Sequence, residues 1–228
     1  ALEAYPKEAW KTNTLGTRNV LQAAADVDVE VFVNVSTDKA ADPTTALGQS
    51  KRAAEKLTSW YGQQTGKRYV SVRFGNVFGS RGSVKPIFTQ QIKDGGPITV
   101  THRDVTRFFM LIPDACLLVM LAGAIGRSGD VLVLDMGKPV KIYDIAENLR
   151  RLYERYDVDI EITQMRPGEK LEEVLFGKDE KMQKSEKNPY ISHAQAPPLN
   201  PAELNYATWH QNYLIHRGYS RVEHRGQQ

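Results

Sequence analysis

An α/β fold, a mainly parallel sheet with flanking helices, is what the sequence predicts, and three observations predict it. Short runs rich in β-branched residues, Val29 to Val35, Arg68 to Phe74 and Val131 to Met136, alternate with longer stretches of helical period. The first and third runs are almost continuously apolar, as strands covered on both faces are. The first also empties into four consecutive polar residues, Ser36, Thr37, Asp38 and Lys39, which puts them at a strand's carboxyl end, where open α/β sheets bind ligands.

Pro6 to Asp26 is the first helix: proline suits its first turn, and Trp10, Leu15, Val20, Leu21 and Ala24 give it an apolar side. After the strand and its polar end, Pro43 fixes a turn. Leu47 to Gln64 then reads as a helix on which Lys51 lies one turn beyond Leu47. The strand Arg68 to Phe74 runs into Gly75, Gly79 and Gly82. Their spacing does not match a dinucleotide fingerprint, and no acidic residue follows at the end of a second strand, so they are not read as a cofactor loop. Lys85 to Lys93 is a helix ended by Gly95 and Gly96, and Ile98 to Thr101 and Val105 to Met110 are short extended segments. Pro113 and Asp114 start an apolar helix to about Ile125, followed by the strand Val131 to Met136. Ile142 to Tyr156 is an amphipathic helix with Ile145, Leu149 and Leu152 facing in, and Val158 to Thr163 is a strand leading to Arg166, Pro167 and Gly168. Past Gly177 the apolar density falls, and Pro189, Pro197, Pro198 and Pro201 point to an extended surface wrap. Asn200 to Glu203 can start a helix reaching His216, and Gly218 to Gln228 looks like a frayed tail. The expected division is therefore 1–176 as the main unit and 177–228 as a C-terminal segment with a short helix.

Composition narrows the function. The 228 residues, 41% of them hydrophobic, suffice for one full core. Thirty Lys and Arg stand against 27 Asp and Glu, with no basic stripe interleaved with aromatics, so nucleic acid is not an expected partner. The single cysteine, Cys116, excludes an intramolecular disulfide or a multi-cysteine metal site, and its apolar surroundings predict a buried helix residue. The five histidines show no metal-ligand spacing. No apolar run reaches membrane-spanning length and no signal peptide opens the chain, so the expected location is the cytoplasm.

The Ser-Thr-Asp-Lys strand end, followed by a helix carrying Gly48, Ser50 and Lys51, resembles the extended short-chain dehydrogenase/reductase superfamily. Within it the sequence resembles the UDP-sugar 4,6-dehydratases of bacterial polysaccharide biosynthesis. Three further stretches resemble that branch's substrate-side motifs, in the right order: Val72 to Val84, Val105 to Met110 and Arg166 to Lys170. The resemblance runs from about Ala1 to Leu199. It implies the C-terminal part of a Rossmann-like extended short-chain dehydrogenase fold plus a small substrate-binding region. The glycine-rich strand-turn-helix that holds the dinucleotide pyrophosphate in that fold is not found in this sequence. NAD or NADP is the expected cofactor with its main binding element missing, and the chain alone is expected to be inactive.

In a 4,6-dehydratase, as the resemblance implies, hydride leaves C4 for the nicotinamide, a base takes the C5 proton, an acid expels the C6 hydroxyl as water, and hydride returns to C6. The resemblance assigns Lys39 as the C5 base, Asp38 as the C6 acid and Thr37 as a hydrogen-bonding partner of the C4 oxygen. Those roles need a neutral Lys39 and a protonated Asp38. Alone, each residue also reads as ordinary: Asp38 as a cap for the turn, Lys39 as a solvated charge. Leu47 departs from the superfamily, which has tyrosine there as proton acceptor; an apolar residue fits a membrane-anchored branch with methionine. The acceptor is left open among Thr37, Asp38, Lys39 and water. Lys51 and Ser36 are expected at the nicotinamide end of the cofactor, although Lys51 also fits the charged helix series Lys51, Arg52, Glu55 and Lys56.

The substrate side is expected from Asn76, Arg81, Arg107, Arg166 and Glu169. Guanidinium forks suit a diphosphate, and Arg107 and Arg166 are the first candidates, against a plain surface arginine. Glu169 and Lys170 either pair with each other or touch the nucleotide. The expected partner is a UDP-sugar substrate, and the alternative functions are a nucleotide-sugar 4-epimerase relative or a non-catalytic remnant that keeps a UDP-sugar or dimerisation surface. A homodimer or higher homo-oligomer is expected through the helices Pro6–Asp26 and Leu47–Gln64, with Trp10, Leu57, Trp60 and Tyr61 lying beyond one core stripe.

Overall fold

The structure, a computed structural model, describes residues 2–216. Helices α1 (Pro6–Ala9) and α2 (Gly16–Asp26) are joined through wider turns at Trp10–Leu15 and lead to β1 (Val31–Val35). Then come α3 (Ala46–Thr65), β2 (Arg68–Arg73), β3 (Asn76–Phe78), α4 (Val84–Lys93), β4 (Ile98–Val100), β5 (Thr106–Arg107) and β6 (Phe109–Leu111). The second half holds α5 (Ile112–Ile125), β7 (Asp130–Leu134), β8 (Val140–Lys141), α6 (Ile142–Leu152), β9 (Ile160–Ile162), β10 (Gln183–Lys184), β11 (Ile191–Gln195) and α7 (Tyr206–His216).

The main sheet has the order β1-β2-β7-β11-β10. β1, β2 and β7 run parallel, with Val33 opposite Val70 and Val72 opposite Leu132. β11 and β10 close one side antiparallel, Ser192 lying opposite Val133. Residues beyond Gly177, read from sequence as a surface wrap, thus supply two strands. Ile191 to Gln195 has no continuous apolar run, and its burial comes from pairing with β7, which local pattern cannot show.

Helix α3 is set by its ends. Thr45 Oγ1 accepts from the Gly48 N–H at 3.0 Å, the Glu3 carboxylate accepts from the Ala46 N–H at 2.7 Å, and Gly66 stops the helix at φ 66°. Its inner face joins α2 over the sheet in a cluster of Leu21, Ala24, Leu57, Tyr61 and Tyr69. On the opposite face α5 covers Val70, Val72, Leu132 and Leu134. A second lobe packs α4 and α6 on β4, with Phe88, Ile92, Ile98, Ile145 and Leu149 at its centre.

Several expectations change. Trp10, Leu57 and Tyr61 are buried inside the subunit, Trp10 under Trp209 of α7, so they do not form the outer apolar face on which the dimer expectation rested. Cys116 is exposed, because the largely apolar α5 turns only one side to the sheet. Leu152 is 72% exposed, since α6 ends there instead of at Tyr156. The predicted tail from Gly218 lies outside the described residues.

Candidate active site

Pairing with β2 continues past the end of β1: the Ser36 N–H donates to the Val72 carbonyl at 2.7 Å and the Asp38 N–H to the Phe74 carbonyl at 3.0 Å. The backbone then tightens into a single 3-10 turn, Asp38–Ala40. Gly48 lets α3 touch that turn, since a Cβ there would lie 2.4 Å from the Lys39 carbonyl oxygen.

Asp38 is 1% exposed. Its Oδ1 accepts from Thr37 Oγ1 and from Lys39 Nζ, each at 2.9 Å, while Oδ2 is sealed against Gly75 with no partner. The Lys39 side chain keeps 26% of its surface open and has Glu173 Oε1 at 3.7 Å. Lys39 therefore faces outward, and Asp38 communicates with the surface only through Lys39 and Thr37.

Above the turn lies a cleft of about 440 Å³, lined by Lys39, Thr44, Leu47, Arg107, Arg166, Glu169 and Glu173 among others. Its wall is the strap from Arg166 to Lys170. Thr44 Oγ1 donates to the Gly168 carbonyl at 3.0 Å, and Lys170 Nζ reaches Asp42 Oδ2 at 3.0 Å. Glu169 Oε1 accepts from Arg107 Nη2 at 3.2 Å and from Thr101 Oγ1 at 3.0 Å. Glu169 and Lys170 thus do not pair with each other; each is bonded to a different element, Glu169 to Arg107 and Thr101 and Lys170 to Asp42.

The expected residues separate into groups. Lys39, Arg107, Arg166 and Glu169 share the cleft. Asn76, on β3, and Arg81, on the turn after it, stand outside it. Arg107 is buried, and its Nη1 donates to the carbonyls of Thr106 at 2.7 Å and Lys170 at 3.0 Å, so its fork braces the strap. Arg166 is exposed at the cleft, with no side-chain partner among the described residues. Lys51 Nζ donates to the Val35 carbonyl at 2.6 Å, and burial pushes its pKa down against the pull of Glu55. The Ser36 hydroxyl donates to Glu55 Oε1 at 2.6 Å, deep inside.

Sequence reasoning missed Glu55, Arg73, Glu173 and Glu180. The available signal was Arg73, a charge within a strand run otherwise fit for burial, which demands a buried counter-ion. Among the described residues no helix is long and apolar enough to cross a membrane.

A sequence model of the family described as "Polysaccharide biosynthesis protein" matches residues 1–195. The chain is 51% identical over 182 residues to the capsular polysaccharide biosynthesis protein CapD of Staphylococcus aureus, an alignment covering 78% of this chain and 30% of that protein. It is 36% identical over 211 residues to a UDP-glucose 4-epimerase of Rickettsia rickettsii, covering 91% and 60%. The solved structure of Pen from Bacillus thuringiensis superposes with a TM-score of 0.79 at 35% identity, covering 86% of this chain and 62% of that one. The chain thus spans under a third of CapD and about three fifths of the other two.

Proposed function

The chain belongs to the polysaccharide biosynthesis protein family, a branch of the extended short-chain dehydrogenases/reductases related to nucleotide-sugar dehydratases and epimerases, and from that premise we propose that it carries the substrate side and the proton-transfer groups of a UDP-N-acetylhexosamine 4,6-dehydratase. The observation that carries the reading is Asp38 Oδ1, which holds Thr37 Oγ1 and Lys39 Nζ at 2.9 Å each beside a cleft containing Arg166.

That junction supports a closed proton cycle. The C4 hydroxyl proton passes through Thr37 Oγ1 to the Asp38 carboxylate, which fills the acceptor role that Leu47 cannot. Lys39, as the amine, takes the C5 proton. Asp38 then returns its proton to the C6 hydroxyl, which leaves as water, and Lys39 hands its own proton back to C5. The two residues end as they began, and the water lost is the C6 hydroxyl plus the proton from C4. Because Oδ2 is sealed, Asp38 receives and gives protons at Oδ1, through the groups already bonded to it.

The dinucleotide, when bound, supplies the hydride acceptor and donor for C4 and C6. Of the residues expected to hold it, Lys51 fits: its ammonium sits at the end of β1, free to add a ribose hydroxyl to the Val35 carbonyl. Ser36 does not fit, its hydroxyl being held by Glu55. On the substrate, Arg166 meets the diphosphate, and Arg107 and Glu169 keep the strap in place.

A 4-epimerase is the second reading, favoured by the likeness to the Rickettsia enzyme across 91% of the chain. Mass spectrometry with proton NMR of UDP-N-acetylglucosamine incubated with NAD and the polypeptide joined to a dinucleotide-binding half decides between them, the NMR reading the configuration at C4. Dehydration predicts loss of one water; a product of unchanged mass with inverted C4 overturns it in favour of epimerisation.

A further inference from the structure

Beneath the site turn lie two guanidiniums and two carboxylates that the proton cycle does not use. Arg73 and Glu55 are completely buried. Arg73 Nε and Nη2 donate to Glu55 Oε1 and Oε2 at 3.1 and 2.7 Å, and its Nη1 and Nη2 donate to Glu180 Oε2 and Oε1 at 2.7 and 3.1 Å. Arg52 Nη1 bridges the same two carboxylates. Burial opposes the charge on Arg73, but Glu55 and Glu180 outweigh it and raise its pKa. Charge cancels within the cluster, the condition under which buried ions persist.

Two links join this cluster to the turn. Ser36 Oγ donates to Glu55 Oε1 at 2.6 Å, one residue before Thr37. From the other side, the segment carrying Glu180 closes on the turn: a Cβ on Gly177 would lie 2.4 Å from the Ala41 carbonyl oxygen, and the Gly177 N–H donates to Glu180 Oε2 at 2.7 Å. An apolar core could replace a buried ion cluster with little loss of stability, whereas a fully bonded network fixes one geometry.

We propose that Glu55 is the positioning residue of the site. Through Ser36 it sets how the end of β1 delivers Thr37, Asp38 and Lys39, and through Arg73 and Glu180 it ties that turn to the C-terminal segment. The proposal rests on the reading that this turn carries the proton transfers.

Amide hydrogen exchange by NMR on the chain tests it, with Ser36→Ala and Glu55→Gln. Ser36→Ala deletes only the hydroxyl and leaves Arg73 fully paired, so it answers even if Glu55→Gln fails to fold. The expected result is exchange at least about tenfold faster at the Asp38, Ala40 and Ala41 amides, with Leu132 and Leu134 of β7 unchanged. Unchanged turn amides in Ser36→Ala, or equal acceleration in the turn and β7, overturns it, the latter marking a loss of global stability alone. Calorimetry with UDP-N-acetylglucosamine on the same samples separates the two claims: a parent chain that does not bind it refutes the functional reading while the exchange result still decides the positioning role.

Discussion

At the scale of single residues, Lys39 and Asp38 are neighbours in sequence that meet again through their side chains at 2.9 Å. Replacing Lys39 by Ala removes the proposed C5 base and leaves Arg166, Arg107 and the strap intact. In the dehydration assay turnover should fall by about 10²–10⁴-fold while UDP-sugar affinity holds, because the loss falls on a proton transfer in the transition state. Activity within a few-fold of the parent removes Lys39 from the base role. The position of Ser36 to Lys39 at a strand end was legible because they are contiguous and follow a recognisable strand. Glu55, Arg73 and Glu180 were not, since their bonds span 18 and 107 residues and no local pattern specifies such partners.

At the scale of elements, α3 is the part that carries most of the site's geometry. Leu47, Lys51 and Glu55 follow one another at four-residue steps, and in turn they line the cleft, hold the Val35 carbonyl and anchor Ser36. The helix, read from sequence as starting after the Pro43 turn, was predicted within one residue at each end; in the structure Thr45 and Gly66 cap it. Its contact with the turn depends on Gly48. Gly48→Ala should destabilise the fold by roughly 1–3 kcal/mol through overpacking, seen as a melting temperature lowered by about 2–4 °C per kcal/mol. An unchanged melting temperature would mean that the helix and turn are not in hard contact. The C-terminal strands were less legible: His193 and Ala194 are buried only because β7 lies beside them.

At the scale of the whole molecule, α2 and α3 cover one face of the sheet and α5 the other, but α5 turns apolar side chains outward. Leu117 and Met120 on the outside of α5 are 62% and 66% exposed, and β1 forms an edge of the sheet. Contiguous apolar surface of this kind drives association, as does an unpaired strand edge. Light scattering should therefore show concentration-dependent self-association, reduced by Leu117→Lys with Met120→Lys. A strictly monomeric parent chain over a wide concentration range would contradict that expectation.

As proposed, these residues build the substrate side of a nucleotide-sugar site and contribute Lys51 to the nicotinamide end of a cofactor site. Calorimetric titration of the chain with UDP-N-acetylglucosamine and with NAD tests it most directly, alongside Arg166→Ala. The UDP-sugar is expected to bind more tightly than NAD, and Arg166→Ala to weaken it by about 1.5–3 kcal/mol, the scale of a charge-assisted contact. NAD binding tighter than UDP-N-acetylglucosamine, or an Arg166→Ala chain that binds the UDP-sugar as well as the parent, would contradict it.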